Sequence, residues 1–167
     1  FWIDHYVGKP AVQKLFALRF GNALFEPLWR REHIDNIQIT IAEKLGVEKR
    51  GAFYETTAAL RDMVQNHPLK LLRAIGMEPP INSNVDAIWD EKLKVLRSLK
   101  PWTTESLAQD VVRGQYASGS IDGAKLPAYR EEPGVNPLSN TETFVALRTE
   151  IANWRWAGVP FYIRTGK

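Results

Sequence analysis

The hydrophobic period of this 167-residue chain changes along its length, and that change limits the folds open to it. Over residues 10–26 apolar side chains fall at Val12, Leu15, Phe16, Phe20, Ala23 and Leu24, the spacing of one helix face. Pro10 suits a first helical turn, where its missing N–H is no loss, and Pro27 closes the segment. Ile37, Ile39 and Ile41 then alternate with Gln38 and Thr40, the pattern of a half-buried strand ending near Glu43. Helical spacing returns over 55–76 through Leu60, Met63, Val64, His67 and Leu71. A break is expected at Pro68, which cannot donate to the carbonyl of Val64. A third helix is predicted over 85–99, with Val85, Trp89, Leu93 and Leu96 on one side and Asn84 as its N-cap. After Pro101 the pattern turns to strands at 111–117, 143–151 and 161–164, with a loop rich in Gly, Pro and charge over 118–137. Helices first and strands later predict an α+β fold, with helices packed on one face of a mostly antiparallel sheet.

Composition narrows the function classes. Hydrophobic residues are 44% and charged residues 25%, which suits one domain with a real core. Lys+Arg 22 and Asp+Glu 19 are interspersed, a distribution that fits an anionic small molecule better than a nucleic-acid track. The chain has no cysteine, so disulfides, thiolate zinc sites and a cysteine nucleophile are excluded, and a cytosolic location is compatible. No apolar run approaches the length of a membrane span. The first residues lack the features of a signal peptide, and both ends read as cuts through a longer protein.

Two short stretches concentrate the chemistry. "IDHYVGK" (residues 3–9) places Asp4, His5, Tyr6 and Lys9 just before a helix start. Helix N-termini carry unpaired N–H groups, so these donors make a phosphate or carboxylate pocket; the alternative is a solvated turn. "RDMVQNH" (residues 61–67) places an acid, two amides and an imidazole along one predicted helix. His67 reads either as a core imidazole with one hydrogen bond or as a catalytic group. On a regular helix Asp62 and His67 point about 140° apart. The partner of the imidazole therefore comes from elsewhere, with Asp4 the natural candidate; the alternative for Asp4 is a cap or turn acid. Glu43 and Lys167, each at a strand end, read equally as ligand contacts or plain surface residues. His33 reads as a surface residue. Trp154 and Trp156 read as packing groups, since no basic groove accompanies them. There is no G-x-G-x-x-G or G-x-x-x-x-G-K-[ST], hence no nucleotide cradle, and no second histidine at the spacing of a helical metal site.

These stretches, with "DEKLKVLRSLK", "VRGQY", "NTETFVALR" and "NWRWAGVPFYIRTGK", resemble bacterial glucose-6-phosphate dehydrogenases over essentially the whole chain. The resemblance implies that residues 1–167 are the central part of the substrate-binding and oligomerisation domain, with the Rossmann NADP domain outside this chain. It implies oxidation of glucose 6-phosphate to 6-phosphogluconolactone with NADP as acceptor, in a cytoplasmic dimer or tetramer. His67 is then the general base and Asp4 its partner. His5, Tyr6 and Lys9 grip the phosphate, while Glu43, Asp62 and Lys167 contact the sugar. Separated from the nucleotide domain, the same chain reads as a non-catalytic sugar-phosphate-binding or oligomerisation module. The chain departs from the family pattern at Trp2 and Trp89, where arginines are usual, and at Pro10 and Pro68. Pro68 is expected to break the helix immediately after His67 and so to shift the base.

Overall fold

The computed structural model describes residues 10–167, apart from the side chain of Ala11. Asp4, His5, Tyr6 and Lys9, and the departure at Trp2, lie outside the described residues. Helix α1 (Pro10–Phe20) starts at its proline and is followed by strand β1 (Ile37–Ala42). Helix α2 (Gly51–Ala59) leads into a π turn (Leu60–Val64), and α3 (Pro68–Gly76) follows. Then come α4 (Val85–Arg97), α5 (Thr104–Asp110), β2 (Val111–Gly114), the short strands β3 (Gly119–Ile121) and β4 (Ala124–Leu126), β5 (Phe144–Glu150) and β6 (Pro160–Gly166). No helix among the described residues is long and apolar enough to cross a membrane.

The main sheet has the order β1-β6-β5-β2. β5 runs antiparallel to both β6 and β2, whereas β1 pairs with β6 in parallel, so the sheet is mostly antiparallel as expected. Strand periodicity sorts the side chains. Ile39, Ile41, Val145, Leu147, Phe161 and Ile163 are buried, while Gln38, Thr40, Arg148, Tyr162 and Arg164 point to the exposed face. Tyr54, Ala59, Val64, Leu72 and Val95 from the helical layer complete the core on the buried side. Trp156, fully buried, packs edge-on against Phe161 and donates its indole N–H to the carbonyl of Gly76 at 2.9 Å.

Several expectations are corrected in detail. The first helix stops at Phe20 rather than 26, and a single 3₁₀ turn, Glu26–Leu28, follows. The 55–76 region is three pieces rather than one helix, and it begins earlier, at Gly51. α4 turns Val85, Trp89 and Leu93 to solvent and instead buries Val95 and Glu91, the side that faces α3. Asn84 occupies the N-cap position, but its side chain makes no capping bond. α5 was not anticipated; Thr103 and Ser106 form its capping box. The 118–137 stretch contains the β3–β4 hairpin, whose Asp122 and Gly123 adopt φ of 52° and 83°, the left-handed pair a tight hairpin requires. Trp154 is 90% exposed and so is not a packing residue, while His33 is exposed as expected.

Arg19 organises the helical side. It is fully buried, and its guanidinium donates to the carbonyls of Ala74, Ile75 and Met77 at 2.8–3.0 Å and to the Glu26 carboxylate at 3.1 and 3.2 Å. The carbonyls closing α3 thereby gain the partners that a helix C-terminus lacks, and a cation sits where the helix dipole favours one. Burial pulls the Arg19 pKa below the usual arginine value, with the Glu26 carboxylate opposing that fall. Replacing Arg19 with methionine strands these acceptors and is expected to cost about 3 kcal/mol or more of stability; the urea unfolding midpoint reads it.

The junction of α2 with the π turn is strained. Ala58 adopts φ 55°, ψ 179°, a conformation favourable almost only to glycine. Such strain costs about 1–3 kcal/mol, against at most about 1 kcal/mol of added chain entropy for glycine. Ala58→Gly should therefore raise the thermal unfolding midpoint; a lowered midpoint would show that the strain is absent.

Candidate functional site

Parallel pairing of β1 and β6 builds the site. In that register Ala42 lies opposite Gly166, so both strands end at the same edge. The next residue of each, Glu43 and Lys167, thus meet although 124 positions apart: Lys167 Nζ lies 2.5 Å from Glu43 Oε2. The Glu43 N–H donates to the Gly166 carbonyl at 2.9 Å, and the Lys167 N–H to the Thr143 carbonyl at 3.2 Å. The lysine side chain is 9% exposed and its ammonium lies 5.7 Å from the centre of the Tyr54 ring.

Tyr54, on α2, floors a cleft of 470 Å³ whose walls include Glu43, Lys44, Arg50 and Lys167. Burial drives the Tyr54 pKa well above the usual phenol value, and the carboxylates of Asp62, Glu142 and Glu43 add to that rise. Its hydroxyl stays protonated at any physiological pH. Asp62, in the π turn, reaches the rim of this cleft through Arg50, with Oδ1 4.0 Å from Nη2. Glu43, Asp62 and Lys167 are thus brought to one region.

His67 lies five residues beyond Asp62 and is half-buried. Its N–H donates to the Met63 carbonyl at 2.8 Å, and its own carbonyl accepts from Lys70 and Leu71 at 3.1 Å. The π turn closes through Gln65 N–H to the Leu60 carbonyl, so the regular-helix angle between Asp62 and His67 does not hold here. Pro68 does interrupt the helix, as predicted: it is the first residue of α3, a position that needs no N–H, and His67 is the N-cap residue.

Sequence reasoning missed Tyr54, Arg50 and Glu142. The first two lie just ahead of the predicted 55–76 segment, Arg50 at the N-cap of α2 and Tyr54 inside that helix, and the late predicted start concealed them. Glu142 carried no local signal at all. A brace behind the site was missed too. Tyr116 accepts from the Val47 N–H at 3.2 Å and donates to Glu132 at 3.0 Å, fixing the loop that follows Glu43; burial pushes its phenol up to about 12, and the bond to Glu132 adds to the rise.

The described residues match the family model for the C-terminal domain of glucose-6-phosphate dehydrogenase over residues 16–167. The chain belongs to that family. It is 57% identical, over its whole length, to the glucose-6-phosphate 1-dehydrogenase of Rhizobium meliloti (strain 1021), and 56% identical over 165 residues to that of Bacillus subtilis (strain 168). Among solved structures, the glucose-6-phosphate 1-dehydrogenase of Mycobacterium avium superposes on 99% of this chain with a TM-score of 0.84 at 45% identity. A glucose-6-phosphate dehydrogenase in complex with its substrate glucose-6-phosphate superposes with a TM-score of 0.87 at 39% identity. The chain spans about a third of each: 34% of both curated relatives and 34% and 33% of the two solved chains.

Glu55 tests the brace. Its Oε1 accepts from Tyr129 and Ser139 hydroxyls, both at 2.6 Å. Partial burial pushes its pKa up, but the bonds from Ser139 and Tyr129 outweigh that and hold it below the usual carboxylate value. A depressed folded value means the stabilisation is present above the unfolded pKa and is lost as pH falls through the folded one. Below about pH 5 the stability of the protein should fall more steeply than that of Glu55→Gln; parallel curves in acid denaturation would remove Glu55 from the brace.

Proposed function

We propose that this chain is the substrate-binding part of an enzyme that oxidises glucose 6-phosphate to 6-phosphogluconolactone. The observation that carries the reading is the Glu43–Lys167 pair beside Asp62, on the segment leading to His67, in a chain of this family. Glu43 and Asp62 offer acceptors to sugar hydroxyls, and Lys167 offers a donor held by Glu43 and the Tyr54 ring. His67 takes the proton from the hydroxyl on the anomeric carbon. As that O–H bond breaks, the carbon–oxygen double bond forms and the carbon releases its hydrogen as hydride. Imidazole suits the role because its ordinary pKa lies near neutrality. In this reading Asp4 orients the His67 ring, and His5, Tyr6 and Lys9 bind the phosphate.

NADP, the acceptor in this reading, supplies only hydride acceptance. Its cradle does not fit the described residues, among which no parallel strand leads through a Gly-rich turn into a helix. In this reading the Rossmann NADP domain belongs to the remainder of the longer protein, and residues 1–167 to the middle of the substrate domain. The exposed sheet face bearing Arg148, Tyr162 and Arg164 suits assembly into a homo-oligomer, a dimer or a tetramer.

In the full-length protein His67→Asn is expected to lower kcat by about 10²–10⁴-fold, the contribution of a general base, with little change in the KM for glucose 6-phosphate. Equal losses in both would mark His67 as a binding residue instead.

A further inference from the structure

Segment 139–143, which leads into β5, is fixed from several sides. Ser139 Oγ donates to Glu55 and accepts from the Thr141 N–H at 3.1 Å. Gln115 Nε2 donates to the carbonyls of Ser139 and Thr141 at 3.2 and 2.9 Å, and Arg130 Nε to that of Ser139 at 2.8 Å. Thr143 donates its N–H to the Gly114 carbonyl at 2.9 Å, and its hydroxyl accepts from the Tyr116 N–H at 2.8 Å.

This strut reaches both sides of the cleft. Toward the sheet, the Thr143 carbonyl accepts from the Lys167 N–H. Toward the helices, the Glu142 carbonyl accepts from the Ala59 N–H at 3.1 Å, and its carboxylate Oε1 from the Leu60 N–H at 3.2 Å. Glu142 is 9% exposed. Burying another carboxylate where Glu43 and Asp62 already act on the same phenol is unfavourable. The bond from the first amide of the π turn gives the buried carboxylate oxygen a partner and offsets part of that cost.

We infer that Glu142 is a positioning residue: it fixes the π turn that bears Asp62, and His67 beyond it, against the Lys167–Glu43 pair. The inference rests on the proposed function for its catalytic consequence, and on the bond to Leu60 for its physical basis. Glu142 acts through the backbone and not on the substrate.

The test uses the full-length protein carrying Glu142→Ala or Glu142→Gln, the latter keeping an acceptor oxygen for Leu60. A base displaced by about 1 Å loses about 10²-fold in rate. Glu142→Ala is expected to lower kcat about 10- to 100-fold and, through the displaced Asp62, to raise the KM for glucose 6-phosphate. Glu142→Gln should restore kcat to within about threefold of the parent. Deuterium exchange at amides 59–67 should quicken in the alanine variant and not in the glutamine variant. A kcat unchanged in Glu142→Ala, or a glutamine variant as impaired as the alanine one, overturns the inference. Should the alanine variant fail to fold, Glu142→Asp, one methylene too short, is expected to show the same kcat loss, and full activity there overturns it equally. An unaltered protein that does not oxidise glucose 6-phosphate defeats the proposed function alone; the exchange comparison then decides on Glu142, and equal exchange in the glutamine and alanine variants overturns it.

Discussion

Among the described residues, the one parallel strand pair in an otherwise antiparallel sheet is the constraint on which the candidate site depends. Antiparallel neighbours end at opposite edges, so two strand-end residues from such a pair are kept apart by the length of the strands. β1 and β6 run together and end together. Their shared edge puts an acid and a lysine in contact, each supplied by a residue just past its strand. The helical layer then needs to deliver only two things, an aromatic floor at Tyr54 and the segment from Asp62 to His67.

That segment gains its shape from irregularity. Ala58 takes a glycine-like backbone conformation, the next residues widen into a π turn, and Pro68 starts a fresh helix directly after His67. Each departure would be a fault in an ideal helix. Together they end one helix, display the polar run that a buried regular helix would have difficulty accommodating, and begin another. The partners that hold the segment in place come from distant parts of the chain, chiefly Glu142 and the carbonyl beside it.

The sequence carried much of this and concealed the rest for physical reasons. Period-two alternation at Ile37, Ile39 and Ile41 located β1 because one face of that strand is buried and the other is not. The same reasoning failed for α4, where Val85, Trp89 and Leu93 make an apolar stripe that faces solvent while a glutamate is buried beside Val95. Periodicity reports a stripe but not which neighbour covers it. Local signals for α5 and for the β3–β4 hairpin were present, in the Thr103–Ser106 capping pair and the Asp122-Gly123 turn, yet their short elements fell below the window in which a period can be counted. Glu43 and Lys167 were ambiguous one at a time. Their pairing is a fact of strand direction, which no local pattern encodes, and family resemblance alone singled them out.

The two fastenings of this fold differ in what can undo them. The clasp at the end of α3 is a guanidinium on main-chain oxygens, and a guanidinium keeps its proton across the whole accessible range. The braces nearer the cleft end on carboxylates, at Glu55, Glu132 and Glu142, and the bonds from Ser139 and Tyr129 hold Glu55 below the usual carboxylate value. Acidification therefore loosens first the tie that Glu55 makes from α2 to Tyr129 and Ser139, while the guanidinium on the α3 carbonyls keeps its charge.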